Sequence, residues 1–100
     1  MFKLLLSWDV LPNRDQEYFE FMVREFTPRL TALGITPIEA WFTLYGDDAP
    51  QIVMEAMTED LETMHALMAT DEWENLKEKL LKYVTNFKQK VIRGRSHLQL

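Results

Sequence analysis

Residues 35–58 read ITPIEAWFTLYGDDAPQIVMEAMT. Two stretches of this segment, 35–45 and 51–58, alternate their side chains between two faces, as β-strands do. Between them, residues 46–50 combine glycine, aspartate and proline, the residue types that favour a reversal of the chain. The segment therefore predicts two antiparallel strands joined by a short connection.

A strand and a helical region flank this hairpin on each side. Residues 2–11 alternate as a strand that Pro12 ends. Residues 13–33 carry apolar side chains at steps of three and four, which is typical of an amphipathic helix. After the hairpin, residues 60–84 predict a second helical region and residues 86–95 predict a fourth strand. The order strand, helix, strand thus occurs twice.

Three local signals predict how the helices begin and bend. Asn13 followed by Gln16 matches a capping box, so we expect Asn13 to cap the first helix. Pro28 removes one backbone hydrogen bond and should bend that helix near its end. The second helical region should break just before Thr70 or Asp71, because either residue can cap a fresh start.

Two consecutive β-α-β units joined by a hairpin predict an α+β protein with the ferredoxin-like βαββαβ arrangement. Right-handed crossovers place both helical regions on one face of a four-stranded antiparallel sheet, with the first and third strands at its centre. A chain of 100 residues has room for one such domain, so residues 1–100 are expected to fold as a single unit.

The composition argues against several kinds of partner and site. The net charge is −5, which disfavours nucleic acid because phosphates require a basic surface. The chain has no cysteine, so it contains no disulfides or thiolate metal sites. The apolar amino-terminal run is too short to span a membrane and no cleavage site follows it. We therefore expect a cytoplasmic protein that has no membrane partner.

The sheet face that the helices leave uncovered carries more apolar bulk than a solvated face would. The side chains assigned to it are Leu5, Trp41, Tyr45, Met54 and Ile92. A second copy of the sheet, packed across a two-fold axis, would bury them, so the sequence predicts a homodimer through the sheet faces. A small monomer with an irregular surface is the alternative.

The segment Leu67–Trp73 (LMATDEW) adds a more specific signal. Together with the element order, it resembles the dimeric α+β barrel superfamily, and within it the NIPSNAP-like group. The resemblance implies that two sheets form a barrel between subunits and that a pocket lies between the sheet and the helices of each. The superfamily includes cofactor-free monooxygenases, lactone isomerases, haem enzymes and proteins without an assigned activity, so the fold selects no reaction.

His65 is the candidate catalytic residue, because it lies beside the apolar stripe of the second helical region and can act as an acid or base near neutral pH. The alternative is a structural histidine bonded to a backbone carbonyl. Glu62 and His65 match the Glu-x-x-His spacing of carboxylate-bridged metal sites, but such sites require two copies, and the only other histidine is His97. The sequence therefore predicts no metal site.

Four further residues are candidates for ligand contact. Trp8, Trp41 and Tyr45 could line a pocket for a planar or apolar molecule, although ordinary packing and dimer contacts would explain them too. Arg93 shares a strand face with Arg95 and could bind a carboxylate. Charge that keeps an edge strand from aggregating explains these arginines equally well.

Asp9 and Glu55 lie in or next to apolar strands. Desolvation there would raise the pKa of a carboxyl group. An arginine across the sheet is the other explanation for their position, and the sequence leaves both open.

The small inventory of reactive groups favours a homodimer that binds a small apolar ligand in a cleft between sheet and helices, or that serves as a structural or interaction dimer. The alternative is a cofactor-independent monooxygenase or isomerase that acts on a small apolar or aromatic molecule. A haem protein with His65 as axial ligand is a further alternative. No cofactor is expected, and whether the chain is an enzyme stays open at this point.

Overall fold

The computed structural model describes residues 1–93. The strands are β1 (Phe2–Val10), β2 (Thr36–Phe42), β3 (Ile52–Thr58) and β4 (Val84–Arg93). After β1 come α1 (Asp15–Phe21), a π-helical segment (Met22–Phe26) and α2 (Thr27–Ala32), and after β3 come α3 (Leu61–Met68) and α4 (Asp71–Leu80). This order confirms the predicted βαββαβ arrangement. None of these helices has the length and apolar run that crossing a bilayer takes.

The four strands form one antiparallel sheet in the order β2-β3-β1-β4, which confirms that the first and third strands are central. A single core fills the space between the helices and one face of this sheet. The core consists of Leu4, Leu6, Trp8, Tyr18, Phe21, Phe26, Leu30, Ile35, Ile52, Met54, Ala56, Met64, Trp73, Leu76, Leu80 and Val84. The two layers leave the opposite face of the sheet without cover in the single chain.

We call this uncovered side the outer face. Its members are Lys3, Leu5, Ser7, Thr36, Glu39, Trp41, Val53, Glu55, Met57, Lys88, Lys90 and Ile92. The assignment of Met54 to this face is wrong, because Met54 pairs with Leu6 and is buried in the core. The assignment of Tyr45 is also wrong, because β2 ends at Phe42 and Tyr45 lies in the connection to β3. The other three assigned side chains do belong to the outer face.

The first helical region begins at Asp15. Arg14 occupies the N-cap position and its side chain makes no capping hydrogen bond, so the predicted capping role of Asn13 is wrong. Asn13 instead has a left-handed backbone with φ of 65°. It lies in a turn closed by the bond from the Arg14 N–H to the Leu11 carbonyl. Asparagine tolerates this conformation better than most residues, which explains the residue type.

Pro28 lies in the first turn of α2, directly after the π-helical segment. The N–H of Thr27 bonds to the carbonyl of Met22, five residues earlier. In a regular helix the proline ring would press against the carbonyl four residues before it, which is that of Arg24. The wider π turn relieves this contact, so the distortion expected at Pro28 takes the form of a π-helical turn.

The second helical region divides where the sequence predicted. Thr70 caps α4, with its Oγ1 accepting a hydrogen bond from the Trp73 N–H at 3.2 Å. Asp60 caps α3 in the same way, accepting from the Thr63 N–H at 2.7 Å. Each bond satisfies a backbone donor that the first turn of a helix leaves unpaired.

Candidate functional site

A cleft of about 330 Å³ lies between the first helical region and the β2 edge of the sheet. Most of its wall is carbon, and its volume is within the range of small-molecule pockets. We call it the helix cleft. Its lining consists of Trp8, Tyr18, Phe19, Met22, Thr27, Pro37, Ile38, Glu39, Ala40, Phe42, Ile52 and Met54.

The helix cleft exists because the helices cover the centre of the sheet but not its β2 edge. The side chains of β3 that point toward the helices are buried, whereas β2 is exposed along almost its whole length. The pairing of β2 with β3 shifts at Ile38, where a bulge places an extra residue in β2. A bulge bends its strand and re-aims the neighbouring side chains. The small side chain of Ala40 then leaves space on the side facing α1.

Trp8 forms a rigid wall of the helix cleft. Its indole is fully buried, and its Nε1 donates a hydrogen bond to the Tyr18 hydroxyl at 2.9 Å. The ring lies parallel to that of Phe87 at a centroid distance of 6.2 Å and meets Phe26 edge-on at 6.0 Å. Such aromatic contacts hold the indole in one orientation, so the lining side chains that pack in front of it rest on a rigid support.

Tyr18 contributes a hydroxyl group to an otherwise apolar part of this wall. Burial raises the pKa of the Tyr18 hydroxyl, and the hydrogen bond from Trp8 opposes that rise only in part. The hydroxyl therefore keeps its proton at neutral pH. Thr27 and Glu39 are the other lining residues with polar side chains.

The rim of the helix cleft is apolar and exposed. Phe19 on α1 and Phe42 on β2 each expose 65% of their surface, and Ile38 exposes almost half. Large apolar side chains exposed side by side mark a surface that contacts a ligand or a partner. The cleft thus has an apolar entrance as well as an apolar interior.

The structure does not bring the four predicted ligand contacts together. Of these four, Trp8 alone lines the helix cleft. Trp41 lies on the outer face, and Tyr45 is 94% exposed in the β2–β3 connection. The Arg93 guanidinium group is 5.8 Å from the centre of the Phe2 ring. Because Phe2 and Trp8 lie near opposite ends of β1, Arg93 is about 20 Å along the sheet from the cleft.

His65 is exposed on α3 and lines neither the helix cleft nor the outer face. Its catalytic role stays a prediction. Arg95 and His97 lie outside the described residues. Within residues 1–93, no three histidine, aspartate or glutamate side chains lie close enough together to hold a metal ion.

Reasoning from the sequence missed Tyr18, the residue that gives the cleft its hydroxyl. A usable signal was present, because Tyr18 lies four residues before Met22 and therefore on the same helix face. A tyrosine on the apolar face of a helix has to place its hydroxyl next to a partner or a cavity.

Asp9 connects the ends of three strands. Its Oδ2 accepts a hydrogen bond from Asn86 Nδ2 at 2.9 Å, and its Oδ1 accepts one from the Gln51 N–H at 2.7 Å. These bonds, with the one from Asn86 contributing most, lower the pKa of Asp9. The raised pKa considered for this residue is therefore wrong. Glu55 forms an ion pair with Lys3 rather than with an arginine.

Asn86→Gly is expected to raise the pKa of Asp9 toward its ordinary value, because the bond from the Asn86 side chain is lost. Glycine suits the left-handed backbone at this position, where φ is 56°. A lowered pKa stabilises the fold above the pKa of the unfolded chain, and that contribution disappears as the pH falls through the folded-state value. The stability difference between wild type and variant should therefore shrink in acid, as urea unfolding at neutral and acidic pH would measure.

The matched control is Asn13→Gly, because Asn13 has the same backbone conformation and makes no bond to Asp9. An NMR titration of the Asp9 carboxyl carbon should give the wild-type pKa in this control and a higher one in Asn86→Gly. An unchanged pKa in Asn86→Gly would contradict the role assigned to that bond.

The outer face holds a second depression of about 590 Å³, whose lining includes Leu5, Val53, Lys88 and Lys90. Leu5 and Val53 are half-buried, whereas both lysines are exposed. The charges are divided across the sheet, with lysines on β4 and with Glu39 and Glu55 on β2 and β3. The outer face thus has lysines along its β4 edge and Glu39 on its β2 edge, with apolar side chains and the Lys3–Glu55 ion pair between them.

Several solved structures share this fold over almost their whole length. An uncharacterised NIPSNAP domain protein from Burkholderia xenovorans matches with a TM-score of 0.72 at 12% identity, covering 99% of each chain. A protein from Nitrosomonas europaea, whose name suggests an antibiotic biosynthesis monooxygenase, matches with a TM-score of 0.65 at 11% identity, covering 94% of this chain and 98% of its own.

A third similar structure is a dimeric protein of unknown function and ferredoxin-like fold from Bacteroides fragilis. It matches with a TM-score of 0.61 at 12% identity, covering 93% of this chain and 95% of its own. No family model and no curated sequence matches the chain. The chain therefore has the ferredoxin-like α+β fold of these proteins, and the NIPSNAP domain proteins expected from the sequence are among its structural neighbours.

Proposed function

We propose that this protein binds a small apolar molecule in the helix cleft. The observation that carries the proposal is the cleft itself, a space of about 330 Å³ with an apolar lining and an exposed apolar rim. Burial of apolar ligand surface is favourable by roughly 25 cal/mol per Å². The wall formed by Trp8 needs no rearrangement for binding, because aromatic neighbours already hold its ring.

Ala40→Phe is expected to weaken binding of 2-isopropenylnaphthalene by at least about tenfold, because the new ring occupies space that the ligand needs. This hydrocarbon is a suitable probe, since it is planar and carries no polar atom. Isothermal titration calorimetry with the full chain would measure the dissociation constants of wild type and variant.

Ala66→Phe provides the matched control. Ala66 is exposed on α3 and lines neither cleft, so the same substitution there should leave binding unchanged. If Ala40→Phe bound the hydrocarbon as tightly as wild type, or if wild type bound no planar probe of this shape with or without a polar atom, the helix cleft would not be the ligand site.

A cofactor-independent monooxygenase or isomerase acting in the same cleft stays the alternative. Of the two titratable residues that border the cleft, Tyr18 is buried in its wall, whereas Glu39 points to the outer face by its register with Glu55. His65, the predicted catalytic residue, lies elsewhere on the surface, so no arrangement of described residues favours one reaction over the other.

We also propose that the outer face assembles two copies of the chain into a homodimer. Leu5, Val53, Met57, Trp41 and Ile92 form its apolar part, and the dimeric protein from Bacteroides fragilis has the same fold. Packing two such sheets about 10 Å apart would remove these side chains from water.

The strand register supports one orientation of the two sheets. Glu39 pairs with Glu55, Glu55 with Leu5 and Leu5 with Lys90, so these residues form one row across the outer face. A two-fold axis parallel to the strands reverses the strand order and keeps each row at its own level. Glu39 would then face Lys90 of the partner subunit, and Glu55 would face Leu5 of the partner subunit.

The adjacent row leads to the same orientation. Trp41, Val53, Ser7 and Lys88 follow one another across the sheet. The same axis brings Trp41 to Lys88 of the partner subunit, which is a cation–π arrangement. An axis perpendicular to the strands would instead place β4 on the partner's β4 and bring lysines together, so charge favours the parallel axis.

A further inference from the structure

The Tyr18 hydroxyl has a proton that no described residue accepts. Tyr18 is 7% exposed and lines the helix cleft. Within residues 1–93, the hydrogen bond made by this oxygen is the one from Trp8 Nε1. A buried hydroxyl normally uses both its donor and its acceptor capacity, so a partner for the proton is to be sought in the cleft.

The direction of the existing bond is fixed by chemistry. An indole Nε1–H is a donor only, so in the contact of 2.9 Å the tyrosine oxygen has to be the acceptor. The phenol O–H therefore points away from the indole nitrogen and remains available as a donor. Trp8 thus acts as a positioning residue, because its bond orients the Tyr18 hydroxyl.

The rest of the wall near Tyr18 offers no competing acceptor side chain of comparable burial. Phe19, Met22 and Ala40 are apolar, Thr27 is less buried than Tyr18, and Glu39 points to the outer face by its register with Glu55. A ligand group that accepts this proton would gain a hydrogen bond in an apolar setting, where such bonds are strong.

Building on the proposed function, we infer that the ligand of the helix cleft is a planar apolar molecule with a carbonyl oxygen that accepts a hydrogen bond from Tyr18. Aromatic ketones, aldehydes and quinones belong to this class. The apolar body would lie against Phe19 and Met22, which line the cleft and are accessible, and the single carbonyl would determine the orientation of the molecule. A pure hydrocarbon of the same shape would fit but would leave the tyrosine proton without a partner.

The test compares 2-acetylnaphthalene with 2-isopropenylnaphthalene, which has the same shape but carries a methylene group in place of the carbonyl oxygen. Calorimetry gives the ratio of the two affinities for the wild type and for Tyr18→Phe. We expect the ratio of ketone to hydrocarbon affinity to be about tenfold lower in Tyr18→Phe than in wild type. Its affinity for the hydrocarbon should stay within about twofold of wild type, because the phenyl ring keeps the wall in place.

Tyr18→Phe leaves the Trp8 Nε1–H without an acceptor, which costs stability in its own right. A second pair of variants avoids this loss of the acceptor for Trp8. Trp8→Phe and the double variant Trp8→Phe/Tyr18→Phe differ only in the hydroxyl, and neither has an indole at position 8 that would lose its acceptor. Between them we expect the ratio of ketone to hydrocarbon affinity to fall in the same direction but by less than about tenfold, because the bond from Trp8 no longer orients the hydroxyl.

Each outcome has a distinct meaning. If the ratio of ketone to hydrocarbon affinity is the same with and without the Tyr18 hydroxyl in both comparisons, this inference is overturned. The proposed apolar site remains supported in that case, provided that the hydrocarbon binds. Failure of both probes to bind the wild type overturns the proposed function and this inference with it.

Discussion

Leu6→Ala is expected to lower the free energy of unfolding by about 2–5 kcal/mol. Leu6 has no exposed surface and lies on the central strand β1, between the sheet and both helical regions. The substitution removes three carbon atoms, and a close-packed core collapses only partly around the resulting cavity. Urea unfolding followed by circular dichroism would measure the change.

Leu5→Ala is the matched control, because the same substitution is made one residue earlier on the same strand. Leu5 points to the outer face and is half-buried in the single chain. Measured where the protein is monomeric, Leu5→Ala should cost less than Leu6→Ala. A cost below about 1 kcal/mol for Leu6→Ala would show that Leu6 is not a core residue.

Lys90→Glu is expected to weaken the proposed homodimer by about 100-fold. In the orientation that the register favours, the new carboxylate would face Glu39 of the partner subunit, and the two-fold axis creates this repulsion twice. The wild type should sediment with twice the mass of the chain at micromolar concentration, and Lys90→Glu as a monomer under the same conditions. Sedimentation equilibrium over a series of concentrations gives both dissociation constants.

The exchange of both charges tests the orientation itself. Glu39→Lys alone should weaken the dimer as Lys90→Glu does, and the double variant should restore most of the wild-type affinity because the pair is re-formed with its charges exchanged. Lys82→Glu changes an exposed lysine away from the outer face and should have little effect. A monomeric wild type would rule out the dimer, and a double variant weaker than either single one would rule out this orientation.

The order of elements could be predicted because apolar side chains repeat at different intervals in strands and in helices, and the sequence shows these intervals. On β1 the alternation of Leu4, Leu6 and Trp8 with Lys3, Leu5 and Ser7 indicated a strand, and the structure has the face of Leu4, Leu6 and Trp8 in the core. The cap at Thr70 was equally local, because it depends on a side chain three residues from its backbone partner. Strand alternation and helix caps involve residues only a few positions apart, so they do not depend on the rest of the fold.

The candidate site was predictable only in part, because a cleft depends on contacts between distant segments. Trp8 was identified, but its partner Tyr18 is on another element, and the pattern of either segment alone does not place them 2.9 Å apart. Trp41 was assigned to both the outer face and a pocket, and strand alternation could not decide between these roles. The bulge at Ile38, which helps to form the cleft, follows Pro37, and a proline within a strand indicates an edge strand or a bulge without distinguishing them.

The same limit explains the error at Asp9. Its apolar neighbours along β1 suggested desolvation, whereas its partners are distant in sequence, Asn86 in β4 and Gln51 directly before β3. Hydrogen bonds to a carboxylate favour its charged form, and here they outweigh the effect of burial. The sign of a pKa shift therefore required the tertiary structure.

The three tryptophans occupy three separate environments. Trp8 borders the helix cleft, Trp41 lies on the outer face with 43% of its surface exposed, and Trp73 is wholly enclosed in the core. A set of variants that each retain one indole would give three intrinsic fluorophores with different emission maxima. Ligand occupancy, subunit assembly and global denaturation could then be followed as separate optical signals, without attaching a dye.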